Sequence, residues 1–138
     1  MKSQRVDTWA ASMPDRSGAL AAHLRALAAA GVNLELVIAR RAGDESGKGV
    51  VFVAPIAGAK QVGAASAAGF AKSGSLHTLR IEGPDKSGQF ARVATALAEH
   101  GLNIRGLSAC ALGKKFVCYV ALDTEADAVK AARAVRTL

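Results

Sequence analysis

The chain states one phrase twice. "PDRSGALAAHLRALAAAGVNL" fills residues 14–34 and "PDKSGQFARVATALAEHGLNI" fills residues 84–104, an ungapped offset of 70. Pro14, Asp15, Ser17, Gly18, Gly31 and Asn33 fall on Pro84, Asp85, Ser87, Gly88, Gly101 and Asn103. Arg16 and Lys86 keep the charge, and Ala26-Leu27-Ala28 falls on Ala96-Leu97-Ala98. Self-similarity at a fixed offset marks one supersecondary unit used twice. The chain is therefore read as two copies of one small fold.

Each copy has the same grammar. Val6 to Met13 carries Trp9 and alternates loosely, as a strand does; its counterpart is Leu76 to Gly83. Pro14 and Pro84 end these strands, because proline has no N–H for a ladder. A helix follows. Leu20, Leu24 and Leu27 form one stripe in the first copy, and Phe90, Ala94 and Leu97 in the second. Ser17 and Ser87, or Asp15 and Asp85, stand where a side-chain oxygen caps a helix start. Gly31 and Gly101 supply the left-handed residue that stops it.

A hairpin comes next. "NLELVIARR" puts Leu34, Leu36 and Ile38 on one face, Ala42 to Lys48 is a polar turn, and "GVVFVAPI" reads as a central strand. The second copy offers "NIRGLSACAL", a turn near Gly113-Lys114, and "FVCYVALD". Second helices are expected over Lys60 to Ala71 and Thr124 to Leu138, the latter capped by Thr124 with Ala128, Ala131, Ala132 and Val135 inward. Phe70 to Ser75 leaves room for one more strand in the first copy; after the last helix there is none.

The order is β-α-β-β-α-(β), twice. This is the split βαβ pattern, an α+β fold of two ferredoxin-like (βαββαβ) units in tandem, the second lacking its last strand. The units are read as residues 1–75 and 76–138. A missing edge strand leaves its neighbour open to pairing, so a strand from another subunit, and hence a homodimer, is expected.

Composition narrows the function. At 138 residues with 51% apolar and 21% charged content, the chain can build cores without staples. No apolar run approaches the ~20 residues of a membrane helix, and Asp7 and Thr8 interrupt any leader-like start. A cytoplasmic location is expected. The net charge of +7 invites a nucleic-acid reading. The basic residues are scattered, however, and aromatics for base stacking are few, which disfavours it.

The phrase Pro-Asp-x-x-Gly-x-apolar, with a helix ending Leu-Ala-x-x-Gly-apolar-Asn-apolar, resembles the ACT domain, a small regulatory module of amino-acid metabolism. The resemblance spans nearly the whole chain as two ACT-type copies. It implies a free-standing regulatory module that binds an amino acid or related metabolite where modules meet. The implied ligand residues are Asp15, Ser17, Gly18 and Leu20 with Arg16, and Asp85, Ser87, Gly88 and Phe90 with Lys86. Asn33 and Asn103 face them from a neighbouring module. Many members carry proline just before the loop glycine; here Ser17 and Ser87 stand there.

The chemistry is apt. Open N–H groups at a helix start suit a carboxylate, glycine lets a ligand approach, and Asp or Asn accepts from an ammonium. The same residues also serve a fold that binds nothing: Asp as a cap, Gly for turn geometry, Asn after a helix stop. The alternative is a ligand-free interaction module docking onto a metabolic enzyme or regulator. No catalytic motif, metal-ligand spacing or cofactor signature appears, so an enzyme is not expected. Cys110 and Cys118 read as buried thiols that could face one another across the second hairpin.

Overall fold

A computed structural model describes residues 1–138. The elements run β1 (Lys2–Val6), β2 (Trp9–Pro14), α1 (Ala19–Ala29), β3 (Leu36–Arg41), β4 (Lys48–Ala54), α2 (Gly58–Ala67), β5 (Ala71–Lys72), β6 (His77–Pro84), α3 (Gln89–Glu99), β7 (Gly106–Leu112), β8 (Lys115–Leu122) and α4 (Glu125–Arg136). The expected α+β architecture is present, and both copies form a four-stranded antiparallel sheet.

The compact units are Asp7–Ser73 and a split module made of Met1–Val6 with Gly74–Leu138. The continuous module has the strand order β3-β4-β2-β5; the split module has β1-β6-β8-β7. Both are the ferredoxin-like order, with the last strand beside the first. Within residues 1–138 α4 is the last element. The vacated edge is filled by the chain's own β1, antiparallel to β6 from Lys2↔Glu82 to Val6↔Thr78. The expectation of a strand from another subunit is therefore corrected at this edge. The boundaries 1–75 and 76–138 describe the sequence repeat, whereas the compact units place Lys2–Val6 with the second copy.

The expected strand Val6 to Met13 is consequently broken. Val6 ends β1, Trp9 begins β2, and Asp7 and Thr8 lie between strands of different sheets. Lys72 Nζ pairs with Asp7 at 3.1 Å and the Ser73 N–H donates to Thr8 O at 2.8 Å, closing the continuous module. The expected strand Phe70 to Ser75 is only the short β5, paired with Trp9 and Ala10 of β2.

Alternation fills both cores. In the split module Leu79 and Ile81 of β6 and Phe116, Cys118, Val120 and Leu122 of β8 point one way. They pack on Val93 and Leu97 of α3 and Ala128, Ala131 and Val135 of α4. Each large side chain buried there contributes roughly 1.5–3 kcal/mol by leaving water. In the continuous module Trp9, Ala11, Val51, Val53, Leu27, Ala65 and Phe70 form the core, with Leu20, Leu24 and Leu34 partly buried around it. The stripe expected on α3 is out of phase. Gln89, Val93, Ala96 and Leu97 are buried, while Phe90 is 40% exposed.

Candidate functional site

Two strand-to-helix turns, residues 14–19 and 84–89, have one geometry. The Asp15 N–H donates to Gly47 O and the Asp85 N–H to Lys114 O, each at 2.9 Å, so each turn is tied to the hairpin of its own module. Gly18 and Gly88 then take left-handed φ of 86° and 81° as the N-cap residues of α1 and α3. A side chain is strained in that conformation, which is why glycine stands at both positions.

The expected caps do not form. Neither Ser17, Ser87, Asp15 nor Asp85 accepts from the first turn, and no side chain caps α1 or α3. With the left-handed glycine itself at the N-cap, the serine before it is carried outside the capping position. Ala19 N–H turns back to Arg16 O at 3.3 Å and Gln89 N–H to Lys86 O at 3.2 Å. The N–H groups of Leu20 and Ala21, and of Phe90 and Ala91, find no acceptor in the chain. A helix start with unmet donors and the positive end of its dipole favours an anion.

The two turns differ in their side chains. The Asp15 carboxylate accepts from Arg41 Nε at 2.9 Å. No such partner reaches Asp85, because the position 70 residues after Arg41 is Ala111. Gln89, buried at the start of α3, donates to Pro84 O at 3.0 Å and accepts from Arg92 at 2.8 Å, bracing the second turn. Its counterpart is Ala19. Phe90, in the first turn of α3, makes a T-shaped contact with Phe116, 5.5 Å between ring centroids. Leu20, in the equivalent place, is partly buried and packs against the core of its module. Sequence reasoning missed Arg41 and Gln89, since each lies where the two copies differ.

Asn33 and Asn103 are exposed and follow Gly31 and Gly101, whose φ of 78° and 67° stop the helices as expected. Each lies past the far end of its own helix. Eleven helical residues separate it from the turn of the same module, about 16 Å. One small ligand cannot touch the turn and the Asn of a single module.

The histidines are occupied locally. His23 Nδ1 lies 2.9 Å from Ala19 O, His100 Nδ1 lies 2.8 Å from Ala96 O, and His77 pairs with Glu125. No three His, Cys, Asp or Glu side chains converge as a metal site would require. No helix is long and apolar enough to cross a membrane.

Residues 77–137 match the ACT domain family model. No curated protein matches the chain. Among solved structures, a protein from Bacteroides thetaiotaomicron superposes with a TM-score of 0.80 at 16% identity, over 97% of this chain and 90% of that one. The ligand-free regulatory subunit of aspartate kinase from Thermus thermophilus gives 0.67 at 19% identity, over 99% and 97%. The structure of aspartokinase alpha and beta subunits gives 0.65 at 19% identity, over 99% and 94%. At these identities the likeness is one of fold. The match on residues 77–137, the motif repeated in residues 14–34 and the shared strand order together bear out the resemblance to the ACT domain.

Proposed function

We propose that this chain is a regulatory module that binds a small ligand of the amino-acid class at its two strand-to-helix turns. The observation that carries the reading is the pair of uncapped helix starts behind Gly18 and Gly88, each leaving first-turn N–H groups open. An α-carboxylate satisfies those donors and meets the helix dipole. Asp15 or Asp85, with Asn33 or Asn103 of a facing module, accepts from the ammonium. Ser17, Ser87, Leu20 and Phe90 line the approach. The structural neighbours include regulatory subunits of aspartate kinase, which supports a regulatory role without catalysis. The same reading includes a homodimer, since β3 and β7 remain unpaired on their outer edges, and a cytoplasmic location.

Titration calorimetry with a panel of amino acids tests the proposal, read together with thermal denaturation. A ligand at about 100 times its Kd adds roughly 2.7 kcal/mol of stability. Asp85→Ala is expected to weaken binding about tenfold or more, by loss of a charge-assisted hydrogen bond. If no amino acid or related metabolite binds, the reading fails. The interaction module docking onto a metabolic enzyme or regulator then takes its place.

A further inference from the structure

A second site lies on the split module, away from the turns. Where β1, β6 and the end of α4 meet, a groove of about 350 Å³ opens, lined by Met1, Lys2, Ser3, Gln4, Arg80, Glu82 and Arg136, with the Met1 ammonium donating to Val135 O at 3.1 Å. Lys2 and Gln4 stand opposite Glu82 and Arg80 in the antiparallel register. Arg80 is held in place: its guanidinium pairs with Glu82 at 2.9 Å and donates to the Tyr119 hydroxyl at 3.2 Å. Glu82 is the groove's one carboxylate, and Arg80 uses it. Lys2 and Arg136 also line the groove and form no ion pair within the chain. Gln4, on the same face of β1 as Lys2, adds a neutral donor.

We propose that this groove binds a small phosphate-bearing dianion, with Lys2 and Arg136 as its direct charge partners and Arg80 as the positioned third cation. The Lys2 and Arg136 side chains can each meet one charge of a doubly charged group, the Met1 ammonium being turned to Val135 O, and Arg and Lys bind phosphate oxygens through charge-assisted hydrogen bonds. The three cations come from three elements: Lys2 from β1, Arg80 from β6 and Arg136 from α4. A bound dianion therefore ties the N-terminal strand to the module it completes. Occupancy is linked to the docking of β1, since a ligand that binds only the assembled groove stabilises that assembly.

The test is calorimetric titration of the full chain with pyrophosphate and inorganic phosphate at constant ionic strength. Saturable binding of one equivalent per chain is expected. The double variant Lys2→Gln, Arg136→Gln is expected to weaken it at least tenfold, because two charge-assisted hydrogen bonds are lost. The charge-matched control Lys130→Gln, Arg133→Gln, on α4 but outside the groove, is expected to bind as the parent does. Phosphate binding that survives Lys2→Gln, Arg136→Gln at full strength would place the anion at the open helix starts of the turns instead and overturn the proposal. Absence of saturable binding overturns the proposal. So does an equal loss in both double variants, which marks attraction to net charge alone. All variants exchange exposed residues, and circular dichroism melting establishes their folding.

Discussion

Single residues show how strictly strand geometry sorts side chains. Cys110 and Cys118 are close in the second hairpin, yet the register pairs Cys110 with Val117 and Ala109 with Cys118. Adjacent positions on a strand point to opposite faces, so the two thiols do not meet, and the idea of facing cysteines is corrected. Cys118 lies in the core, where burial pushes its thiol up to about 11. Cys110 is exposed, against the expectation of a buried thiol. The thiolate is the nucleophile. At pH 8 the native chain should therefore react quickly with Ellman's reagent at one thiol, and with the second only after denaturation. Cys110→Ser should abolish the fast phase; two fast thiols would contradict the placement. Gly31 and Gly101 were legible at this scale as left-handed helix stops, whereas the left-handed N-cap conformation of Gly18 and Gly88 was not, since a glycine before a helix also serves packing or ligand approach. The pairing of Asp15 with Arg41 was not, since it joins residues from a turn and a hairpin.

Elements carry the next level of order, and α4 is the clearest case. Thr124 caps it as the sequence indicates, accepting from the Asp127 N–H at 3.0 Å. Beside the cap, Glu125 accepts from Arg5 of β1 and from His77 of β6, the latter at 3.2 Å. Arg5 also donates to Thr78 O at 2.8 Å. The hydrogen bond from Arg5 is the main reason the Glu125 carboxyl sits below its ordinary value of 4.5; the neighbouring His77 acts in the same direction. A depressed folded-state pKa means stability that is present above the ordinary carboxylate range and lost as pH falls below it. Glu125→Gln should lower the urea midpoint at pH 6, and the deficit should shrink as pH falls below 4.5. A deficit that does not change with pH would show that the pairing adds no pH-dependent stability. Helices with caps and stripes were readable in advance, as α4 shows. The phase of α3 was not. Phe90 reads as the natural core residue, but Val93 is buried in its stead. The turn places the first helical residue, and Phe90 falls beside Phe116 near the surface.

The whole molecule is defined by how its repeat closes. At the offset of 70, Lys2-Ser3 also falls on Lys72-Ser73, so the repeated unit begins with an edge strand. β5 closes the continuous module and β1 closes the split one. Deleting residues 1–6 should therefore strip the edge from β6 and uncover the core beneath Met1. Amide exchange is expected to accelerate in β6 and β8, while β2 and β4 keep their protection; uniform loss across both modules would refute separate closure. Sequence alone determined that there are two copies, their element order and the left-handed glycines that stop the first helix of each copy, Gly31 and Gly101. These follow from local sterics and from patterns of period 2 and 3.6, which a chain carries in itself. It was silent on β1, because "KSQRV" is polar and shows no apolar alternation. Which sheet an edge strand joins is settled by backbone hydrogen bonds between distant residues, and those donors and acceptors are the same for every side chain. Only the tertiary structure could decide that the first strand of the chain completes its second half.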